Sequence, residues 1–361
     1  MLQHVDYQRH QTASKVVKRV LTVVGARPQF IKAGPVSRAL AAAGISETLV
    51  HTGQHFDPLM SDVFFDDLDI PKPAYNLEIN SLSHGAMTGR MLEKLEQVMI
   101  TEAPEMLIVY GDTNSTLAAA LAAAKLHIPI AHIEAGPRSF DRTSPEEVNR
   151  VIVDHLSALL FCPTASSVEN LKKEGISRGV HAVGDVMFDA TLAAIERAKD
   201  RSGILERLGL SPKSYTVATV HREENTADPE RFSNVMAWLE RAAEQQPVIM
   251  PTHPRTKKLL EARGMKLKGV QVIEPVGYLD MAWLVHHAKS MVTDSGGLQK
   301  EAYFHRVPCV TLLEGTEWPE TIDAGWNRLW TSQDYAPQRE ISDYGIGNCA
   351  EKIAEIVRAT V

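Results

Sequence analysis

From residue 19 onward one pattern recurs: a short apolar run rich in Val and Ile, then a longer stretch whose apolar residues have helical spacing. Strands that read as near-continuous apolar runs are buried on both faces, and intervening helices supply the covering layers. The pattern therefore predicts βαβ units around parallel sheets. Predicted strands are Val20–Gly25, Thr48–Thr52, Met106–Tyr110, Pro129–Ile133 and Ala158–Cys162, with a shorter sixth at Val180–Val183. Helical spacing falls between them at Gln29–Ala43, His84–Thr101, Thr113–Leu126, Glu146–Leu156 and Ala165–Glu174. Around Lys199–Pro212 the pattern gives way to a polar stretch with two glycines and a Ser-Pro signal, then restarts at Tyr215–Val220. Further strands are expected at Val248–Pro251, Val270–Ile273, Ser290–Thr293 and Cys309–Leu312, with helices at Pro229–Gln245, Leu279–Ala288, Leu298–His305 and Cys349–Thr360. Two doubly wound domains in tandem follow, and 361 residues accommodate them, since single cores stop growing beyond about 250–300 residues.

Composition narrows the function classes. The chain is 44% hydrophobic and 23% charged, as globular proteins are. Its net charge is −7 and no basic block is interleaved with aromatics, so nucleic acid is not an expected partner. Cys162, Cys309 and Cys349 are scattered and unpaired in spacing, which suggests neither a disulfide framework nor a zinc site and fits a reducing cytosol. His51 and His55 run from a strand into a Gly-containing loop, a poor frame for a metal. The richest apolar stretch, Leu117 to Ile133, is broken by Lys125 and His127, so no membrane span is expected. The polar first 19 residues lack the apolar centre of a signal peptide and are read as a flexible extension.

In doubly wound sheets, ligands bind beyond the carboxyl ends of the strands, and the polar clusters of this chain fall there. The segment Thr293-Asp294-Ser295-Gly296-Gly297-Leu298-Gln299-Lys300-Glu301 joins a strand to a helix, leaving backbone N–H groups open to a phosphate. The alternative is that Asp294 or Ser295 merely caps the helix while the glycines turn the chain. The first strand end carries no GxGxxG, which disfavours a nicotinamide cofactor. It presents Arg27 and Lys32 instead, suited to a diphosphate or, alternatively, simply solvated.

Asp112 and Glu134 each follow a buried strand, where desolvation can raise a carboxyl into general acid-base range. Asp112 has a competing reading as a helix N-cap; Glu134 caps poorly. In Ser144-Pro145-Glu146-Glu147 the spacing makes Ser144 the N-cap and Glu147 its capping-box partner, which leaves Glu146 as a third candidate acid. His221 and His253 follow consecutive strands of the second domain and place imidazoles at the cleft.

Gly25-Ala26-Arg27-Pro28, Gly111-Asp112-Thr113, Glu134-Ala135-Gly136, Pro145-Glu146-Glu147-Val148-Asn149-Arg150, His221-Arg222-Glu223 and Asp294-Ser295-Gly296-Gly297, in this order, resemble the non-hydrolysing UDP-N-acetylglucosamine 2-epimerases. The resemblance implies a GT-B-type α/β fold of two Rossmann-like domains, at 20–199 and 200–348, with a helix at 349–361 crossing back onto the first. It implies a UDP-N-acetyl sugar in the interdomain cleft, a homodimer, and neither cofactor nor catalytic metal. Asp112, Glu134 and Glu146 match the acid-base carboxylates, with His221 aiding the diphosphate. Arg27, Lys32, His253, Ser295 and Gly296 match positions that hold phosphates, Glu301 the ribose hydroxyls and the backbone near Val276 the uracil, with Arg222 and Gly297 among the other positions that bind the UDP-sugar.

Two departures stand out. Gln54-His55-Phe56-Asp57 replaces the Gln-His-Arg-Gln/Glu run of substrate-activated members. Thr316-Glu317-Trp318-Pro319-Glu320 stands where many members have Thr-Glu-Arg-Pro-Glu, and resembles the subgroup that includes the UDP-2,3-diacetamido-glucuronate 2-epimerases. A glycosyltransferase using a UDP-sugar donor and a non-catalytic nucleotide-sugar binder are the competing readings.

Overall fold

The computed structural model describes residues 18–55, 62–316 and 318–360. Seven strands form the first sheet: β1 (Arg19–Val24), β2 (Ser46–His51), β3 (Tyr75–Asn76), β4 (Met106–Tyr110), β5 (Ile130–Ile133), β6 (Leu159–Cys162) and β7 (Val180–Ala182). Their order is β3-β2-β1-β4-β5-β6-β7, every pairing parallel. The second sheet holds β8 (Thr216–Thr219), β9 (Val248–Pro251), β10 (Val270–Ile273), β11 (Ser290–Thr293), β12 (Cys309–Thr311) and β13 (Asn327–Leu329), in the order β10-β9-β8-β11-β12-β13. It too is parallel throughout. Strand order reverses beside β1 and β4 in one sheet and beside β8 and β11 in the other, and these reversals open a crevice for a ligand.

The helices that bear on the crevice are α1 (Arg27–Ala42), α2 (Asn114–Lys125), α3 (Pro145–Leu156), α4 (Val186–Arg201), α5 (Tyr278–His287), α6 (Gly296–Phe304) and α7 (Cys349–Ala359). Each sheet is covered by apolar clusters on both faces, as Val/Ile-rich parallel strands require. One cluster runs from lobe to lobe: Val36 and Leu40 of α1 meet Ala194 of α4, Leu279 and Ala282 of α5, Phe304 of α6 and Ile353 and Val357 of α7. Phe188 of α4 stacks on Phe304 of α6 at 4.8 Å between centroids, an aromatic pair that joins the lobes. The C-terminal helix α7 packs on α1 and α4, so the chain ends on the lobe where it began. This is the GT-B arrangement of two Rossmann-like lobes around a cleft.

Several expectations need correction. Arg19 already belongs to β1, one residue inside the segment read as an extension, of which residues 1–17 lie outside the described residues. The strands β3 and β13 carry no sequence signal, being two and three residues long. The sixteen-residue helix α4 lies where no element was expected; Asp185 caps it by accepting the Met187 N–H at 2.8 Å. No capping box forms at α3: the Ser144 side chain makes no cap bond. Glu147 turns inward instead, accepting the Ser139 and Phe140 N–H groups at 3.0 and 3.1 Å. It remains structural, with a loop rather than a cap as its duty. Among the described residues, no helix is long and apolar enough to cross a membrane.

His305, just past α6, shows how little the second lobe tolerates acid. It is 4% exposed, and neither ring nitrogen has a hydrogen-bond partner among the described residues. Burial, then His286, Lys213 and His287, push its imidazole down to about 3. The unfolded chain takes up this proton below about pH 6.5, whereas the folded chain resists it. The stability is thus complete above that pH and lost as pH falls towards 3. Between pH 7 and pH 5 the wild type should lose roughly 2 kcal/mol more than His305→Leu, read as the difference in urea-denaturation free energies.

Candidate active site

The loops after β1 and β4 enter the crevice from one lobe, and those after β8 and β11 enter from the other. Pro28 sits in the first turn of α1, where its missing N–H costs nothing, and starts the helix that presents Lys32. After β4, Gly111 takes φ +59°. The cap of α2 is then Thr113, whose side chain accepts the Thr116 N–H, so Asp112 does not serve as the N-cap. Its carboxylate pairs with Arg150 of α3, and Arg150 also reaches Glu147 at 3.2 Å.

Glu134 follows β5 with φ +69°, the left-handed region that a side chain rarely adopts. The strain has a visible cause: the N–H groups of Glu134 and Ala135 both donate to the Phe161 carbonyl at 3.1 Å, which turns the chain sharply off the sheet. The side chain thereby enters the crevice, where Lys32 bonds one carboxylate oxygen and Lys300 lies 3.3 Å from the other. Lys32 is buried and beside Lys300, which together push its ammonium down to about 8. Asp112 and Glu134 thus differ from the lone desolvated acids that strand ends suggest, because each is paired with a cation.

Beneath them lies a buried polar frame. The His132 Nε2–H donates to the Gly111 carbonyl at 2.7 Å, and its Nδ1 lies 2.7 Å from Asp154. Burial alone would push the Asp154 carboxyl up, but His132 and Arg138 hold it below the usual carboxylate range. Arg138 pairs with Asp154 at 2.7 Å and with Glu174 at 2.8 Å.

From the other lobe, Asp294 is fully buried and accepts the backbone N–H groups of His221 and Arg222 at 2.9 Å and the Asn225 amide at 3.1 Å. It ties the β8 loop to the β11 loop. Ser295 is the N-cap of α6 but its side chain makes no cap bond, so the helix N-terminus keeps backbone donors for an anion. Asp294 therefore locks two loops and leaves the N-cap position to Ser295, whose side chain does not cap. The His221 ring lies 3.1 Å from Asp294 and its centroid 5.9 Å from that of His253. His253 also caps a helix at 254–262, a helix not foreseen in the sequence, by accepting the Arg255 N–H.

The crevice has two adjoining chambers that share Ile31, Ser295, Leu298 and Glu301. One, of about 290 Å³, is lined by Lys32, Asp112, Glu134, Gly296, Gly297 and Trp318. The other, of about 340 Å³, is lined by Arg27, His221, His253, Val276 and Tyr278. At the wall between them, burial pushes the Glu301 carboxyl up to about 7, against the pull of Arg27 and Lys300. The sequence-predicted residues Arg27, Lys32, Asp112, Glu134, His221, His253, Val276, Ser295, Gly296, Gly297 and Glu301 thus converge.

Two do not. Glu146 is exposed on the first turn of α3, with Ser144 donating to it at 2.8 Å, and lines neither chamber. The Arg222 side chain lines a separate cavity of about 500 Å³ with Glu224, Arg231 and Thr316. Residues the sequence reading left without a role are Arg138, Arg150, Asp185, Tyr278 and Lys300. Phe56, Asp57 and Glu317, each in a motif noted above, lie outside the described residues. Among the described residues, no group of three His, Cys, Asp or Glu side chains is placed to hold a metal.

The family model described as UDP-N-acetylglucosamine 2-epimerase matches residues 38–358. A Methanococcus maripaludis protein named as a UDP-N-acetylglucosamine 2-epimerase homolog is 49% identical, covering 94% of this chain and 99% of its own length. The UDP-2,3-diacetamido-2,3-dideoxy-D-glucuronate 2-epimerase of Pseudomonas aeruginosa is 48% identical over 93% of this chain and 98% of its own. The crystal structure of Methanocaldococcus jannaschii UDP-GlcNAc 2-epimerase, in complex with UDP-GlcNAc and UDP, superposes with TM-score 0.83 at 38% identity, covering 94% of this chain and 99% of that one. On the sequence match and the shared architecture together, this chain belongs to the UDP-N-acetylglucosamine 2-epimerase family.

Proposed function

We propose that the protein interconverts UDP-GlcNAc-type and UDP-ManNAc-type sugars at C2, as a cytoplasmic isomerase that supplies surface-polysaccharide synthesis. The carrying observation is that Asp112 and Glu134, on strand ends of one lobe, face the α6 N-terminus of the other across one chamber. The C2–H of an acetamido sugar has no adjacent carbonyl to acidify it, so direct proton abstraction is costly. Elimination avoids this. A carboxylate takes the C2 proton, the C–H electrons form the C1=C2 bond of a glycal, and the C1–O bond breaks with its electrons leaving on UDP. Reprotonation on the opposite face and return of UDP to C1 complete the epimerisation.

The chambers divide the labour. The sugar occupies the one with the acids, and the nucleotide occupies the one bordered by Arg27, His221, His253 and Val276. The negative charge that grows on departing UDP meets the α6 N-terminus, Arg27 and His221, donors already oriented before reaction. Glu301, balanced between its two protonation states near neutrality, suits a hydrogen bond to ribose hydroxyls. Glu146 joins the acids only if the segment before α3 moves when the substrate binds.

A second substrate is favoured by a specific observation. Trp318, in the run that resembles the diacetamido-glucuronate subgroup, lines the sugar chamber, and the Pseudomonas relative named for a diacetamido uronate is 48% identical. Both sugars therefore enter the test.

Incubated in D2O with UDP-GlcNAc or its 2,3-diacetamido uronate counterpart and no acceptor, the enzyme should place deuterium at C2, read by NMR. Turnover with full retention of C2 protium sinks the elimination route. Acceptor-dependent UDP release would instead favour a glycosyltransferase. Asp112→Asn and Glu134→Gln should each lower kcat by at least about 100-fold while still binding UDP. Were both to retain turnover, the acids would not be those proposed.

Glu301 is an acid whose folded value exceeds its unfolded one, so it destabilises the fold above about pH 4.5 and most strongly above about 7. Glu301→Gln should stabilise the protein at pH 8 relative to pH 5 by on the order of 2 kcal/mol, while weakening UDP binding about tenfold. Denaturation midpoints at both pH values and calorimetric titration with UDP check the two halves.

A stripe on α3 supports a homodimer. Val148 (38%), Ile152 (37%) and Leu156 (36%) are exposed at four-residue spacing, and Phe140 in the loop before the helix is 72% exposed. A stripe of this kind on a charged surface fits the same stripe of a second copy. Light scattering should report a dimer for the wild type and a monomer for Ile152→Asp; a monomeric wild type would remove this reading.

A further inference from the structure

Glu134 is held on both oxygens, and one of its two cations comes from the opposite lobe. Lys300 stands in the second turn of α6, the helix whose first residues form the phosphate loop. It is 2% exposed. Its ammonium lies 2.6 Å from Asp185, 3.3 Å from Glu134 and 3.7 Å from the centroid of the Trp318 ring. Asp185 is itself fixed: it caps α4 through the Met187 N–H, and its own N–H donates to the Tyr344 carbonyl at 3.1 Å. The Trp318 indole N–H is buried with no hydrogen-bond partner among the described residues, so the ring makes its polar contact through its face. A buried ammonium is costly unless paired. Here two carboxylates and an aromatic face surround it, which fixes its place.

A short rigid helix therefore links the phosphate loop to the carboxylate on the far side of the cleft. We propose that Lys300 is a positioning residue for the epimerisation: through α6 it couples the seating of the nucleotide lobe to Glu134, keeping that carboxylate ionised and aimed into the sugar chamber. The contact rests on geometry; its use in catalysis rests on the epimerase reading above. Lys32 touches Glu134 from α1 and holds its other oxygen. The charges around this pair are Arg27 on α1, Asp112 with its partner Arg150, Asp185 at the start of α4, Glu301 on α6, and Glu320 after Trp318. With Lys300 removed, Glu134 keeps one cation of its two, so it should take up a proton more readily and its orientation should loosen.

Three single substitutions, one double variant and two readouts decide the matter. In Lys300→Met, the acid limb of the kcat/KM profile should move up by about one pH unit. Its kcat should fall about 30-fold or more while KM for the UDP-sugar changes less than about threefold. Lys300→Arg should recover most of the lost kcat and return the limb towards the wild-type position. A purely structural lysine would leave the limb in place and lose kcat in step with the melting temperature, and that result overturns the proposal. The second readout needs no activity. A thermal-denaturation cycle of Lys300→Met, Glu134→Gln and the double variant should show clear coupling, because the two side chains share one contact. Additive melting shifts would also overturn the proposal. A wild type that leaves C2 hydrogen unexchanged fails the epimerase reading alone, and the cycle still decides the contact.

Discussion

The structure turns on a cluster of buried charges where the two lobes meet. Lys32, Glu134, Lys300 and Asp185 come from four separate elements, and each carboxylate of the cluster is met by at least one ammonium. Such a cluster is weak evidence for stability, since desolvating four charges offsets much of their attraction, but losing one partner strands another in a medium that solvates it poorly. Its geometry is thus strongly specified. Burial holds Lys32 down to about 8 and Glu301 up to about 7, so the cleft carries groups whose protonation is closely balanced near neutrality, as acid-base chemistry requires.

The apolar seam makes that cluster possible. Phe188 stacked on Phe304, and α7 returning to pack on α1, hold two separately wound lobes at a fixed approach. Without that seam, the switch points of the two sheets would open to solvent rather than to each other. The phosphate loop is positioned in the same way: Asp294 is spent on the His221 and Arg222 backbone, which fixes the β8 loop beside the α6 N-terminus and leaves Ser295 at the helix end. A left-handed Glu134 is the counterpart on the other lobe, a backbone conformation held in place by two bonds to one carbonyl.

Much of the fold was legible before the structure. Short Val/Ile runs separated by helical spacing give strands within a residue or two of those observed, because a strand buried on both faces must be apolar along its whole length. The edge strands β3 and β13 were not legible; Tyr75–Asn76 and Asn327–Leu329 hold too few apolar residues to stand out, and only their neighbours define them. Helix α4 escaped because its apolar positions serve the seam between lobes, a surface that does not exist until both lobes are folded. The capping-box reading of Ser144 and Glu147 was reasonable locally and failed because the loop at 139–140 offered Glu147 two backbone donors.

What the sequence determined by itself is the class of chemistry. Carboxylates after buried strands, a small-residue loop opening a helix, and the absence of a dinucleotide fingerprint are all local signals, and chain direction alone sends them to the same edge of a doubly wound sheet. What the tertiary structure decided is which of those groups meet. Glu146 and the Arg222 side chain satisfy the local patterns but face elsewhere, whereas Lys300 has no distinguishing local signature and lies against Glu134, 166 residues earlier in the chain. A residue's spacing along its own helix or strand sets the face it occupies, but the partner across a cleft is set by how two lobes pack, and that depends on apolar contacts spread over the whole chain.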